Sequence, residues 1–256
     1  MLCLLIAIYE PKKWVKKRLR CIFAKYPLNF AFMLSFFKDY KKFAIGFFIL
    51  SAVIVLIIYN ILNVEKPLPI YQPNNVETTL VDSTIQHVKR YHKIADFSLI
   101  NQNGKTITQN DYKDKIYVAD FFFTTCQTIC PIMTDHMGVI QKEILKDDDI
   151  MLLSHSVTPV IDSVAQLKKY AIKKGVNDAK WNLVTGDKKQ IYELARKSYL
   201  AVKSVGNGDK YDMIHTENFM LIDKKRQIRG FYDGTDPEAI SQLLNDIEKL
   251  KRMEKQ

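Results

Sequence analysis

Outside its first 42 residues, this 256-residue chain lacks an excess of either charge. The overall net charge is +10, but residues 1–42 hold ten Lys and Arg against Glu10 and Asp39, an excess of eight, so only two charges remain for everything downstream. Nucleic acid requires a basic face on the folded domain itself, and a near-balanced downstream charge does not favour that partner. Internal repeats and low-complexity tracts are missing too, so the length accommodates one ordinary domain with additions. Hydroxyl side chains other than Tyr are nearly missing from the N-terminal arm, where Ser35 stands alone and Lys outnumbers Arg. That composition argues against a mitochondrial transit peptide and for a bacterial protein.

Charge and proline are wholly absent from residues 43–62, FAIGFFILSAVIVLIIYNIL. At about 1.5 Å per residue, such a helix spans about 30 Å, the hydrocarbon thickness of a bilayer. A buried core helix would show a polar face. A cleaved signal peptide would be shorter and end at small residues, not at Ile-Tyr-Asn-Ile-Leu. The segment is therefore expected to be an uncleaved transmembrane helix. Lys41 and Lys42 precede it, which places 1–42 in the cytoplasm. Residues 63–256 then lie on the periplasmic or extracytoplasmic side of a bacterial inner membrane. Within the arm, Met33 is an alternative start to Met1, because it leaves a compact basic lead into the anchor.

The expected order is a basic cytoplasmic arm at 1–42, the anchor at 43–62, an extended linker at 63–95 and a folded domain at 96–256. The linker carries Pro67, Pro69 and Pro73 among mixed polar residues and reads as a spacer. From residue 96 strands and helices alternate. Residues 97–100 and 105–108 flank Asn-Gln-Asn-Gly and read as a hairpin. Residues 115–123, KIYVADFFF, read as a strand buried on both faces. A helix is expected at 131–145 with Pro131 in its first turn, followed by a strand at 149–157, a helix at 163–174, a strand at 182–185 and a helix at 188–199. A hairpin at 219–223 and 227–232 and a helix at 236–254 complete an α/β domain with a mixed sheet flanked by helices.

Cysteine is sparse, and only two of the four residues stand in a telling place. Cys3 and Cys21 fall in the arm, where thiols stay reduced. Cys126 and Cys130 lie in FFFTTCQTICP, between a buried strand and a helix. Unpaired N–H groups and the dipole at a helix start favour thiolate, the form that ligates metal and attacks disulfides. The Cys-x-x-x-Cys spacing can close a disulfide or spread two soft sulfurs around Cu(I). A purely structural bridge would close a very small loop and stabilise weakly. Taken alone, the pair does not separate copper binding from redox chemistry. Imidazole is the natural third donor, and five histidines are available. His87 and His92 fall near the linker and read as solvated; His136 lies in the following helix and His155 within a buried strand. His215 sits in a loop immediately before the strand FMLID.

TTCQTICP at 124–131, IHTENFMLID at 214–223 and the opening DFSLINQNGKTITQNDYKDKIYVADFFFT together resemble the Sco/SenC proteins of cytochrome c oxidase assembly. SVTPVIDSVAQLKKYA and WNLVTGDKKQIYELARKSY are similar to the segments that follow, and the likeness covers roughly residues 95–254. The resemblance implies a thioredoxin-like fold in which the loop of His215 packs beside the cysteines. It also implies copper as the bound metal, with Cys126, Cys130 and His215 as ligands, and Cys126 and Cys130 as a redox disulfide pair. The implied partner is cytochrome c oxidase subunit II or another copper-site apoprotein, and the implied role is delivery of copper to the binuclear site. Three positions depart from the family pattern: Gln127 where many members have Pro, Thr158 where many have Asp, and Ile214 where many have Asp.

The main alternative is a thiol–disulfide oxidoreductase of the same fold without copper delivery, and the two activities can coexist. Such enzymes commonly carry a proline before the strand corresponding to FMLID, yet no proline occurs between Pro159 and Pro237. A thiol peroxidase would need Pro-x-x-x-Thr-x-x-Cys, which fails in both registers, at Ala119 and Phe123 and again at Phe123 and Gln127. An interaction module with a structural disulfide leaves His215 unexplained.

Overall fold

The computed structural model describes residues 40–62, 66–77, 81–202 and 214–254. Most of the basic arm, including Cys3, Cys21 and Met33, lies outside them, as do residues 203–213. Two units are present, the first ending at Lys66 and the second running Pro67–Gln256. In the first, helix α1 (Lys41–Leu62) runs 22 residues with none buried, long and apolar enough to cross a membrane.

The second unit is built on one seven-stranded sheet: β1 (Ser98–Asn101), β2 (Thr106–Thr108), β3 (Ile116–Phe122), β4 (Ile150–Ser156), β5 (Trp181–Thr185), β6 (Asn218–Ile222) and β7 (Ile228–Asp233). The spatial order is β2-β1-β5-β4-β3-β6-β7. β3 pairs parallel with β4 over its full length, from Ile116 opposite Ile150 to Phe122 opposite Ser156. β4 pairs parallel with β5, whereas β6 runs antiparallel to β3 and β7 to β6. The sheet is mixed, as the alternation of strands and helices predicts. Every β3 residue is buried, because helices cover both faces and a central strand has no solvent side.

Alternation along β3 divides the core in two. Ile116, Val118 and Phe122 face one cluster, which includes Met133 and Met137 of α2 (Ile129–Glu143), Leu167 of α3 (Val164–Lys174) and Leu243 of α5 (Pro237–Glu254). Tyr117, Ala119 and Phe121 face the other, with Ile191 of α4 (Lys188–Glu193) and Tyr199. Sequence sets the helix ends. Ser163 accepts the Gln166 N–H at the start of α3, and Gly175, at φ 68°, closes it with its N–H on the carbonyls of Ala171 and Ile172. That left-handed cap suits a residue without Cβ. The helix expected at 188–199 is α only to Glu193; Leu194–Ser198 is a wider π turn. It delivers Tyr199 to ring contacts with Phe121 and His155 at 5.5 and 5.2 Å.

The stretch expected to be an extended linker is instead largely part of the domain from Pro67 onward. The Arg229 guanidinium donates to the carbonyls of Pro69 and Leu68 at 2.9 and 2.6 Å and pairs with Asp223 at 3.0 Å. The Tyr71 N–H bonds the Ile228 carbonyl at 2.9 Å, and Val81 and Ile94 are fully buried. The segment covers the outer edge of β7, a row of backbone groups that otherwise invites pairing with another chain. Prolines made it resemble a spacer, and its buried side chains are too isolated to show a period.

Candidate metal and redox site

The site begins where β3 ends. The Val157 N–H bonds the Phe122 carbonyl, and the Cys126 N–H turns back to Phe123 at 3.3 Å. Asp162, fully buried, fixes this turn from the loop after β4. Its carboxylate accepts the Thr124 hydroxyl at 2.5 Å, the Thr124 N–H at 3.3 Å, Ser156 at 2.6 Å and Thr158 at 3.0 Å. The strand end, the cysteine turn and the β4 loop thus share one anchor, which sequence reasoning missed. No motif marks a residue whose partner lies 38 positions away. Thr158, one of the family departures, is a donor to this anchor.

Helix α2 starts immediately after, and its first turn lacks the usual side-chain cap: Thr128 makes no capping bond. The Cys126 sulfur takes that place, accepting the Cys130 N–H at 3.4 Å, with the Thr128 hydroxyl 3.7 Å away. Desolvation raises the Cys126 pKa, but these hydrogen bonds outweigh it and bring the thiol from 9.0 to about 7. Cys130, buried against Met133 and Phe122, is pushed by burial and by Cys126 up to about 12. Four residues apart, one sulfur is half thiolate at neutral pH and the other a protonated thiol. Both are free of disulfide.

His215 is exposed on the far rim, its ring edge-on to Phe123 with centroids 6.1 Å apart. Cys126, Cys130 and His215 line one cavity of about 90 Å³, with Phe121, Phe123 and Ile214 forming apolar wall. Ile214, another departure, is buried there. Among the described residues no three His, Cys, Asp or Glu side chains are already closed around one point.

Of the other histidines, His87 is exposed and three are occupied elsewhere. His155 is fully buried, stacked on Phe121 at 4.9 Å, and burial lowers its pKa to about 4. His136 bonds the Gly234 carbonyl at 2.7 Å through Nδ1. His92, expected to be solvated, is instead partly buried with Nε2 on the Ser198 carbonyl at 2.8 Å, and burial lowers its pKa. Behind the site lies Asp120, buried in β3 with Oδ1 unpartnered; burial raises it from 3.8 to about 7.

The family model for SCO1/SenC matches residues 86–252. The chain belongs to the SCO1/SenC family. Among relatives, the SCO1 protein homolog of Bacillus subtilis is 30% identical over 164 residues, 63% of this chain and 84% of that protein. A SCO1/SenC family lipoprotein from Bacillus anthracis has a similar structure, at TM-score 0.55 and 32% identity, covering 62% of this chain and 95% of that one. BsSco, described as a Sco-family cytochrome c oxidase assembly protein with a disulfide switch, matches at TM-score 0.54 and 32% identity, over 62% and 93% of the two chains. In this SCO1/SenC chain the matched region contains both Cys126 and Cys130 and His215, and it excludes helix α1.

Proposed function

We propose that this chain is a membrane-anchored copper metallochaperone, delivering copper to the binuclear copper site of cytochrome c oxidase subunit II. The observation that carries the reading is the single small cavity lined by Cys126, Cys130 and His215. Two thiolates and an imidazole form a soft donor set suited to Cu(I). Cys126 enters about half ionised at pH 7, whereas Cys130 releases a proton as it ligates, so loading yields between about one and two protons, approaching one above pH 7. His215, exposed on the rim, supplies the third donor by turning in over the thiols. Three ligands leave an open side through which a partner's ligands displace the protein's own in steps. The oxidase-assembly role described for BsSco supports the choice of partner. Helix α1 supports anchoring to a bacterial inner membrane, with residues 63–256 on the extracytoplasmic side.

The unequal thiols favour a second activity at the same site. The Cys126 thiolate attacks a partner disulfide, forming a mixed disulfide and releasing one partner thiolate. Cys130, once deprotonated, attacks Cys126, and the partner leaves with two thiols while Cys126–Cys130 becomes the disulfide. Two electrons pass to the partner, as preparation of a copper-site apoprotein requires. X-ray absorption of the Cu(I)-loaded full chain tests the ligand set. Two sulfur scatterers and one nitrogen are expected, the nitrogen vanishing in His215→Ala while the disulfide still forms. A sulfur-only spectrum for the unaltered chain would remove His215 from the site.

A further inference from the structure

The opposite end of the sheet carries an open cavity of about 320 Å³ whose wall holds Lys93, Lys113, Lys224, Lys225 and Arg226, with Asp96 as its acidic residue. Arg226 pairs with Asp96, and Lys224 with Asp149 at 3.5 Å. Lys93, Lys113 and Lys225 are exposed, and among the described residues their side chains form no ion pair. Of the neighbouring acids, Asp147 pairs with Lys251 and Asp148 lies 3.8 Å from Lys180, while Asp114 beside Lys113 is exposed. The cations are also held in place. Buried Asp223 accepts the N–H groups of Lys225 and Gln227 at 2.9 and 2.8 Å and pairs with Arg229. Arg226 adopts φ 63°, a left-handed conformation uncommon for a residue with a side chain.

The chain enters the domain at this turn. Leu68 and Pro69 are fastened by Arg229, Tyr71 by Ile228, and Ile94 by Arg226. Leu62 closes the apolar helix, so the chain from Leu62 to Leu68 reaches at most about 20 Å in any conformation. We propose that this basic turn binds the anionic phospholipid headgroups of the membrane in which the chain is anchored. The proposal rests on the anchor reading above. Antiparallel pairing of β6 with β3 puts residues 223–227 beside the start of β3 and the cysteines beyond its end, about 20 Å apart along the strand. Headgroup binding therefore turns the metal site toward the aqueous side.

Hydrogen exchange of the full chain in nanodiscs tests this, comparing phosphatidylcholine discs with discs containing phosphatidylglycerol. The expected result is slower exchange at 109–113 and 223–227 in the anionic discs, with 124–130 unchanged. Each lysine near an anionic surface favours binding about fivefold. The triple variant K93E/K113E/K225E should lose on the order of a hundredfold in that preference, as should raising the salt to screen it. Cu(I) binding by the variant reports that it is folded. Equal exchange in both discs overturns the proposal, as does protection that survives in the variant. Inorganic phosphate protecting the same segments in neutral discs would assign the pocket to a soluble anion and overturn the lipid reading. Failure of the chain to enter either disc contradicts the anchor itself, and this proposal with it.

Discussion

At the cysteine end of the central sheet, the groups that set the turn are buried or fixed by specific bonds and Thr125, Gln127 and His215 are exposed, whereas at the β6–β7 turn cations are numerous, exposed and partly unpaired. Asp162 gathers four donors around the turn that leads to Cys126, while Lys113 and Lys225 face solvent with no ion pair among the described residues. The difference separates two uses of charge. A site that exchanges a metal or an electron pair needs thiols of unequal proton affinity, which burial and hydrogen bonds provide. A surface that meets a diffuse field of phosphates needs number and sign, and long solvated side chains provide those.

The sharpest expected contrast lies within the cysteine end. With Cys126 near 7 and Cys130 near 12, alkylation at pH 7 should modify Cys126 faster by on the order of a few hundredfold, allowing for the greater nucleophilicity of the more basic thiolate. Peptide mapping of a timed iodoacetamide reaction reads the ratio, and its rate should rise to a midpoint near pH 7. Comparable labelling of both thiols would break the asymmetry on which the disulfide step depends.

Removal of the anchor comes next in size. Asp162→Ala leaves the buried Ser156 hydroxyl and the Thr124 groups without their acceptor, and should lower stability by about 3 kcal/mol in urea unfolding. Asp162→Asn, which keeps an acceptor oxygen, should lose less. An alanine variant as stable as the parent would mean the cysteine turn holds itself.

A third prediction concerns pH. Asp120 keeps its proton to about pH 7 in the folded chain, against 3.8 for an ordinary aspartate. The native state therefore binds a proton that the unfolded chain has lost, so the linked stability is full below about pH 4 and disappears as pH rises through 7. Asp120→Asn mimics the neutral form and should stabilise at pH 8 by up to about 4 kcal/mol, with little change at pH 4. A gain equal at both values would show that Asp120 does not titrate in this window.

The smallest effect belongs to the basic end. Lys113→Glu with Lys225→Glu should shift stability by less than about 0.5 kcal/mol, since neither side chain packs or pairs. A large loss would mean that these lysines hold the fold and are not a free surface.

The architecture was legible where local pattern and tertiary role agree. KIYVADFFF reads as a doubly buried strand because no alternation to polar residues is present, and β3 is buried throughout. The helix expected at 163–174 is α3, Val164–Lys174. The two cysteines were legible as a site because a strand–helix junction gives their spacing a physical meaning. Partnerships between distant residues that carry no motif were not legible. Asp162 reaching Thr124, Arg229 holding Leu68 and His92 on Ser198 each join ordinary residues far apart in the chain. The widening of the 188–199 helix was hidden for a similar reason, since it serves the placement of Tyr199 against β3.

The central claim is that the cysteine end binds copper through the two thiols and His215. Anaerobic titration of the reduced full chain with Cu(I), against a competing chelator, tests it most directly. The account predicts one equivalent bound, abolished in Cys126→Ser and weakened in His215→Ala. Failure to compete for Cu(I), with a readily reduced Cys126–Cys130 disulfide, would contradict copper delivery and leave a thiol–disulfide oxidoreductase.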